Sequence, residues 1–250
     1  MSAVGSLLRK ELMEEVFSTR GAVLYLTCSA VLSIFAILLV SNTELSLLDN
    51  AQAVYMMCGI VLALGLLIAV VRGSDGFAGE RERQTLELLL VAPIKGQEIA
   101  LAKLGGTLIA WVLVFVLASP FVWAVGSTGQ NLGPALIYLF FSGMLLTLIL
   151  GGVTLALSAK TRTFKATLSI GLTLFLLAAS PVILGPSLRQ GSIGRLIDWV
   201  NPFAHGLNML DSVVVDSQGI SFQLLHFAIL TCYAVAAVWS VNVMTRRVEL

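Results

Sequence analysis

The stretch Gly79-Glu80-Arg81-Glu82-Arg83-Gln84-Thr85-Leu86-Glu87-Leu88-Leu89-Leu90-Val91-Ala92-Pro93-Ile94 sets four charges of alternating sign directly before a leucine-rich run that stops at a proline. Leu86, Leu89 and Leu90 repeat at i, i+3 and i+4, the spacing of one helix face. Pro93 biases Ala92 out of the helical region. The pattern predicts a short amphipathic helix from about Glu80 to Val91, with Glu80 and Glu82 in a first turn where carboxylates suit the positive end of the helix dipole. Gly73, Gly76 and Gly79 come just before it, and in this reading they let the chain turn away from the preceding segment. A solvated loop would carry the same charges. The combination of alternating signs, leucine face, glycines and proline stop favours the helix.

Outward from this stretch the chain is apolar. Hydrophobic residues make up 58% of its 250 residues and charged residues 12%, with a mean hydropathy of +0.95, whereas charged residues are about a quarter of a soluble domain. Crossing a hydrocarbon core of about 30 Å takes about 20 apolar residues. Six segments qualify: 21–40, 53–71, 104–125, 134–158, 166–185 and 222–244. None contains Asp, Glu, Lys or Arg, as expected where each such residue costs about 2.5 to 3.5 kcal/mol at the centre of a span. The expected fold is therefore an all-α integral membrane protein with six transmembrane helices in one domain, 1–250. A secretory signal is not expected, because 21–40 is followed by Ser41, Asn42, Thr43 and Glu44 rather than by a small-residue cleavage site.

Of the 15 Lys and Arg residues, all but Arg189 and Arg195 fall in the N-terminal tail, the second and fourth connections and the C-terminus. The positive-inside rule then places both termini on the cytoplasmic side of the cell membrane. Basic residues distributed in this way set topology and form no phosphate-binding face, so nucleic acid is not an expected partner; the lipid bilayer is. Cys28, Cys58 and Cys232 lie within spans at no metal-ligand spacing and read as small apolar residues. No span has an acidic residue at membrane depth, which disfavours an ion-driven carrier. No phosphate-binding glycine loop is present, which leaves no ATP site of that type in the chain.

Two further segments carry pattern. Within 4–19, Val4, Leu7, Leu8, Leu12, Val16 and Phe17 share a face while Arg9, Lys10, Glu14 and Glu15 turn away, which predicts an amphipathic helix lying flat at the headgroups. The segment 186–221 holds two apolar groups, one around Ile193 to Val200 and one around Leu207 to Val214, separated by Asn201-Pro202. It predicts two short external helices on or dipping into the outer leaflet, capping a vestibule. His226, near the start of the last span, reads as a hydrogen-bonded packing residue.

The run Glu80-Arg81-Glu82-x-x-Thr85-Leu86-Glu87-x-Leu89-Leu90-x-x-Pro93, followed by Lys103, resembles the coupling loop of ABC-2 type permeases, the six-helix membrane subunits of ATP-binding cassette exporters. The closing region with Asn201-Pro202-Phe203-Ala204-His205 resembles the small bacterial members related to gliding-motility and copper-enzyme-maturation permeases. The resemblance implies a type V exporter-like architecture: an elbow helix in 4–19, a cytoplasmic coupling loop in 72–103 and external helices in 186–221. It implies a non-enzymatic permease subunit that pairs with two copies of a separate ATPase, which would bind ATP and Mg. It also implies a second permease chain, identical or a sister. Carried onto this sequence, Glu80, Arg81, Glu82, Arg83, Thr85, Leu86, Glu87, Leu89, Leu90 and Pro93 would couple to the ATPase. Trp199, Asn201, Pro202, Phe203 and His205 would belong to the external re-entrant vestibule. No metal or cofactor site of its own is expected. Gln84 departs from the family pattern, which commonly has glycine before the threonine. An ATPase-coupled scaffold without flux, or a secondary carrier or channel, would be the alternatives.

Overall fold

The computed structural model describes residues 3–16, 18–41, 50–86, 95–127, 131–189, 191–216, 218 and 220–246. Every element among them is an α-helix: α1 (Ala3–Val16), α2 (Thr19–Ser41), α3 (Asn50–Glu82), α4 (Gly96–Gly126), α5 (Leu132–Lys160), α6 (Phe164–Arg189), α7 (Ser192–Val200), α8 (Pro202–Val214) and α9 (Ile220–Thr245). Among the described residues five helices are long and apolar enough to cross a membrane: α2 from Gly21, α3, α4, α5, and α9 from Ser221. The remaining expected span, 166–185, falls on α6, whose described apolar stretch is the shorter Phe164–Ser180.

The helices α3 and α5 form the central pair, with α4 and α6 packed on α3, α9 packed on α5, and α8 packed against α9 and α5. Contact this close requires small residues. A Cβ at Gly73 would lie 2.1 Å from Thr154 Oγ1 and 2.6 Å from the Gly151 carbonyl, and one at Gly76 would lie 2.3 Å from Leu155 Cδ1. Without a hydrophobic drive between helices in lipid, such backbone proximity and its dispersion contacts hold a bundle together.

Here the structure corrects the reading of the glycines. The chain does not turn at Gly73, Gly76 or Gly79; α3 continues through all three to Glu82. Its 33 residues make a rod of about 50 Å at 1.5 Å per residue, well beyond a hydrocarbon core of about 30 Å. Gly73 and Gly76 serve close approach to α5 rather than flexibility, and the place a Cβ would take at Gly79 is held by the Asp75 carboxylate. Glu80 and Glu82 accordingly sit in the last turn of a long helix, not in the first turn of a short one.

The segment expected to be external is also more deeply engaged than an interfacial pair. In α8, Phe203, Leu207, Met209, Leu210, Val213 and Val214 are buried in the main core, while α7 exposes Leu196, Trp199 and Val200. Asn201 makes the break between them: its Oδ1 accepts the Phe203 N–H at 2.9 Å, capping α8, and Pro202 follows at the first helical position, where a missing N–H costs nothing. Its Nδ2 donates to the Ala178 carbonyl at 2.7 Å and ties the break to α6.

Candidate functional site

The four charges of the stretch 80–83 crown the projecting end of α3, and each addresses a different part of the bundle. Glu80 is buried, with Oε1 accepting from Lys103 Nζ of α4 at 3.1 Å and Oε2 accepting from the Thr85 hydroxyl. Arg81 donates to the carbonyls of Thr161 and, at 3.3 Å, of Ala159. It thereby places a cation at the negative C-terminus of α5. Glu82 accepts the Phe164 N–H at 3.0 Å and places an anion at the positive N-terminus of α6. Arg83 reaches back two turns to Asp75 at 2.8 Å, in an exposed pair.

The network extends to a residue that the sequence pattern does not single out. Glu11 of α1 pairs with Lys103 Nζ at 3.1 Å through Oε1 and with Arg72 Nη2 at 3.1 Å through Oε2. Two carboxylates and two cations thus balance in a protected cluster, the condition under which burying charge is tolerable. Glu80 and Lys103 lie beyond the apolar stretches 53–71 and 104–125. Burial works against both ionised forms, but the neighbours outweigh it. Lys103 and the Thr85 hydroxyl hold Glu80 below the usual carboxylate range. Glu11 and Glu80 hold Lys103 above the usual ammonium range. Lys103 is therefore an ionic junction between helices.

The end of α3 is closed by backbone geometry. Thr85 N–H donates to the Glu80 carbonyl at 3.0 Å and Gln84 N–H to the Arg81 carbonyl at 3.1 Å, the paired bonds of a Schellman turn. Gln84 sits at its left-handed position, with φ 59°. That is a conformation glycine takes freely and a side chain with a Cβ does not, and it is the position at which the resembled family has glycine. Gln84→Gly is expected to stabilise the protein by about 1 kcal/mol, seen as a rise of about 2–4 °C in the melting midpoint of the detergent-solubilised chain. An unchanged or lowered midpoint would count against this conformation.

Helical backbone resumes at Leu86, which is buried beside Phe77, Ile99 and Leu155 in a second core cluster at this end. Glu87, Leu89, Leu90 and Pro93, with the rest of the expected run to Val91, lie outside the described residues. The structure thus brings Glu80, Arg81, Glu82, Arg83, Thr85 and Leu86 together. It adds Glu11, Arg72, Asp75 and Lys103.

At the opposite end, His205 of α8 and His226 of α9 face each other with Nδ1 to Nδ1 at 2.8 Å. His205 Nε2 lies 2.9 Å from the Trp199 carbonyl, which can only accept. Neutral His205 therefore carries its proton on Nε2, and its bare Nδ1 accepts from the His226 Nδ1–H. The expected packing role of His226 is realised through this partner. Of the residues expected in the external vestibule, Asn201, Phe203 and His205 gather around the start of α8, whereas the Trp199 ring is exposed. Among the described residues no cluster of three or more His, Cys, Asp or Glu could hold a metal ion.

Comparison with known proteins gives one family match: the sequence model described as ABC-2 family transporter protein matches residues 60–243. That span runs from within the first third of α3 to near the end of α9 and includes the charged end of α3. No curated protein matches the chain.

Proposed function

The chain belongs to the ABC-2 transporter family, a membrane transport component and not itself catalytic, and from that premise we propose that it is the six-span permease subunit of an exporter driven by a separate ATPase. In this reading α6 is the sixth crossing, both termini are cytoplasmic, and two permease chains, identical or sister, assemble with two ATPase subunits that bind ATP and Mg. The observation that carries it is the charged end of α3. It projects beyond the bilayer thickness, and through Glu80, Arg81 and Glu82 it is bonded to α4, α5 and α6. Force applied by an ATPase to the segment 83–94 reaches those spans through charge-assisted bonds and a helix end with little slack. The two exposed members, Glu82 and Arg83, are the ones a soluble partner can reach, and the buried ones pass displacement inward. The external residues Trp199, Asn201, Pro202, Phe203 and His205 belong to the exit side, where α8 packs as a re-entrant wall.

The test is purification of the tagged chain from its native membranes in mild detergent, for the wild type and for the double reversal Glu82→Arg with Arg83→Glu. Exposed ion pairs contribute about 0–1 kcal/mol, so the reversed chain is expected to insert and fold. An ATPase is expected with the wild type in equal amount, and to be lost or uncoupled from transport in the reversal. Normal transport by the reversed chain would overturn the coupling assignment. An ATPase partner without any substrate-dependent flux would point instead to a force-transmitting scaffold.

A further inference from the structure

We infer that Glu11 is a positioning residue that fastens α1 to the charged end of α3, so that the amphipathic helix moves with this end and carries its displacement to α2. The transport consequence rests on the permease reading above; the fastening does not.

Three observations converge on it. First, α1 is seated where α4 has no side chains. A Cβ at Gly105 would meet Leu8 Cδ1 at 2.7 Å, and a Cβ at Gly106 would meet Arg72 Nη2 at 3.1 Å and Glu11 Cβ at 3.2 Å. The pair Gly105-Gly106 is thus a seat in which α1 lies against the bundle. Second, Glu11 is well shielded from solvent and uses both carboxylate oxygens on two different helices, Arg72 of α3 and Lys103 of α4. A divided pair of this kind fixes position in two directions, which an amphipathic helix resting on headgroups lacks. Third, Lys103 hands the connection on to Glu80, whose backbone and side chain both engage Thr85 at the turn out of α3. The path Glu11–Lys103–Glu80–Thr85 joins α1 to the segment on which an ATPase would act.

The destination is α2. α1 ends at Val16 and α2 begins at Thr19, with Ser18 Oγ accepting the Gly21 N–H at 2.9 Å. α2 is the least buried of the five long apolar helices and touches the bundle chiefly along α4. A span held this lightly is placed by its leading helix.

Hydrogen exchange of the α1 amides in the full-length chain, embedded in lipid nanodiscs, tests the fastening without any ATPase. Glu11→Gln is expected to raise exchange across 5–16 by about tenfold or more. Glu80→Gln is expected to raise it several-fold, although its link to the α1 carboxylate runs through Lys103, and Arg83→Gln, in the exposed pair with Asp75, should leave it unchanged. Wild-type exchange in both Glu11→Gln and Glu80→Gln would overturn the inference. Should Glu11→Gln fail to accumulate, Glu11→Asp replaces it, and wild-type exchange there together with wild-type exchange in Glu80→Gln would overturn the inference equally. With the ATPase present, the complex carrying Glu11→Gln should hydrolyse ATP at the wild-type rate while moving less substrate per ATP. Destabilisation alone would lower both together. A wild-type chain that recruits no ATPase would overturn the permease reading and leave the exchange result to decide the fastening.

Discussion

Lys103→Met is expected to lower the stability of the folded chain by about 3–5 kcal/mol, the cost of removing one partner from a buried ion pair. The size follows from what is left behind. Methionine matches the length of the lysine stem, so little packing is lost. But Glu11 Oε1 and Glu80 Oε1 both lose their cation, in a place where the side chains of Glu11 and Glu80 are only 15% and 7% exposed. Arg72 still serves Glu11, so Glu80 is the group most stranded. Lys103→Met combined with Glu80→Gln should therefore recover more than half of the loss, because a neutral amide needs no counter-ion and can still accept from Thr85. Thermal unfolding of the single and double variants in detergent checks this. A double variant less stable than Lys103→Met alone would show that the charge balance is not what holds this end together.

How much of this is legible in the sequence differs from residue to residue. The uncharged windows stand on long helices because a charge within a span has no cheap alternative, so composition alone marks them. The Asn201-Pro202 break is legible for a local reason: a capping side chain followed by a residue without an N–H specifies a helix start with no help from tertiary structure. Gly73 and Gly76 of α3 mislead because glycine means either freedom or proximity, and only the presence of Thr154 and Leu155 opposite decides which. The same ambiguity displaces Glu80 from the last turn of one helix to the first turn of another.

Glu11 escapes the pattern although a signal exists. On a helical wheel it falls between Leu7 and Val4, in the middle of the apolar face of α1, where a carboxylate needs a partner; treating that helix as a detached amphipathic segment hides the need. The partners of Glu11 lie on other helices, 61 and 92 residues away, and no local pattern announces them. Gln84 is the opposite case. Its departure from a glycine pattern points to unusual backbone geometry, and the positive φ is found there. The pairing of His205 with His226 is not legible, because α8 enters the core rather than lying on its surface.

The second large effect is expected at the centre of the bundle, where the Trp111 ring of α4 is clamped between two glycines. A Cβ at Gly143 of α5 would lie 2.0 Å from Trp111 Cζ2, and one at Gly65 of α3 would lie 2.5 Å from its Cε3 and Cζ3. The indole is 1% exposed and donates its Nε1–H to the Phe140 carbonyl at 3.1 Å. Trp111→Ala should cost about 3–5 kcal/mol. In a bilayer the transfer contribution is small, since lipid is as apolar as the core, and the loss comes from the cavity and the missing dispersion contacts. Gly143→Ala should cost about 1–3 kcal/mol by overpacking, because the ring is hemmed in by glycine backbone on the α3 side as well as the α5 side. The two changes should not add: once the indole is gone, the new methyl group enters vacated space, and Gly143→Ala in the Trp111→Ala background should cost close to nothing. A double-mutant cycle by thermal or denaturant unfolding would then show a coupling of about 1–3 kcal/mol. Simple additivity would mean that α3, α4 and α5 do not meet around this ring, and the close α3–α5 contact through which we propose that displacement passes would lose its central support.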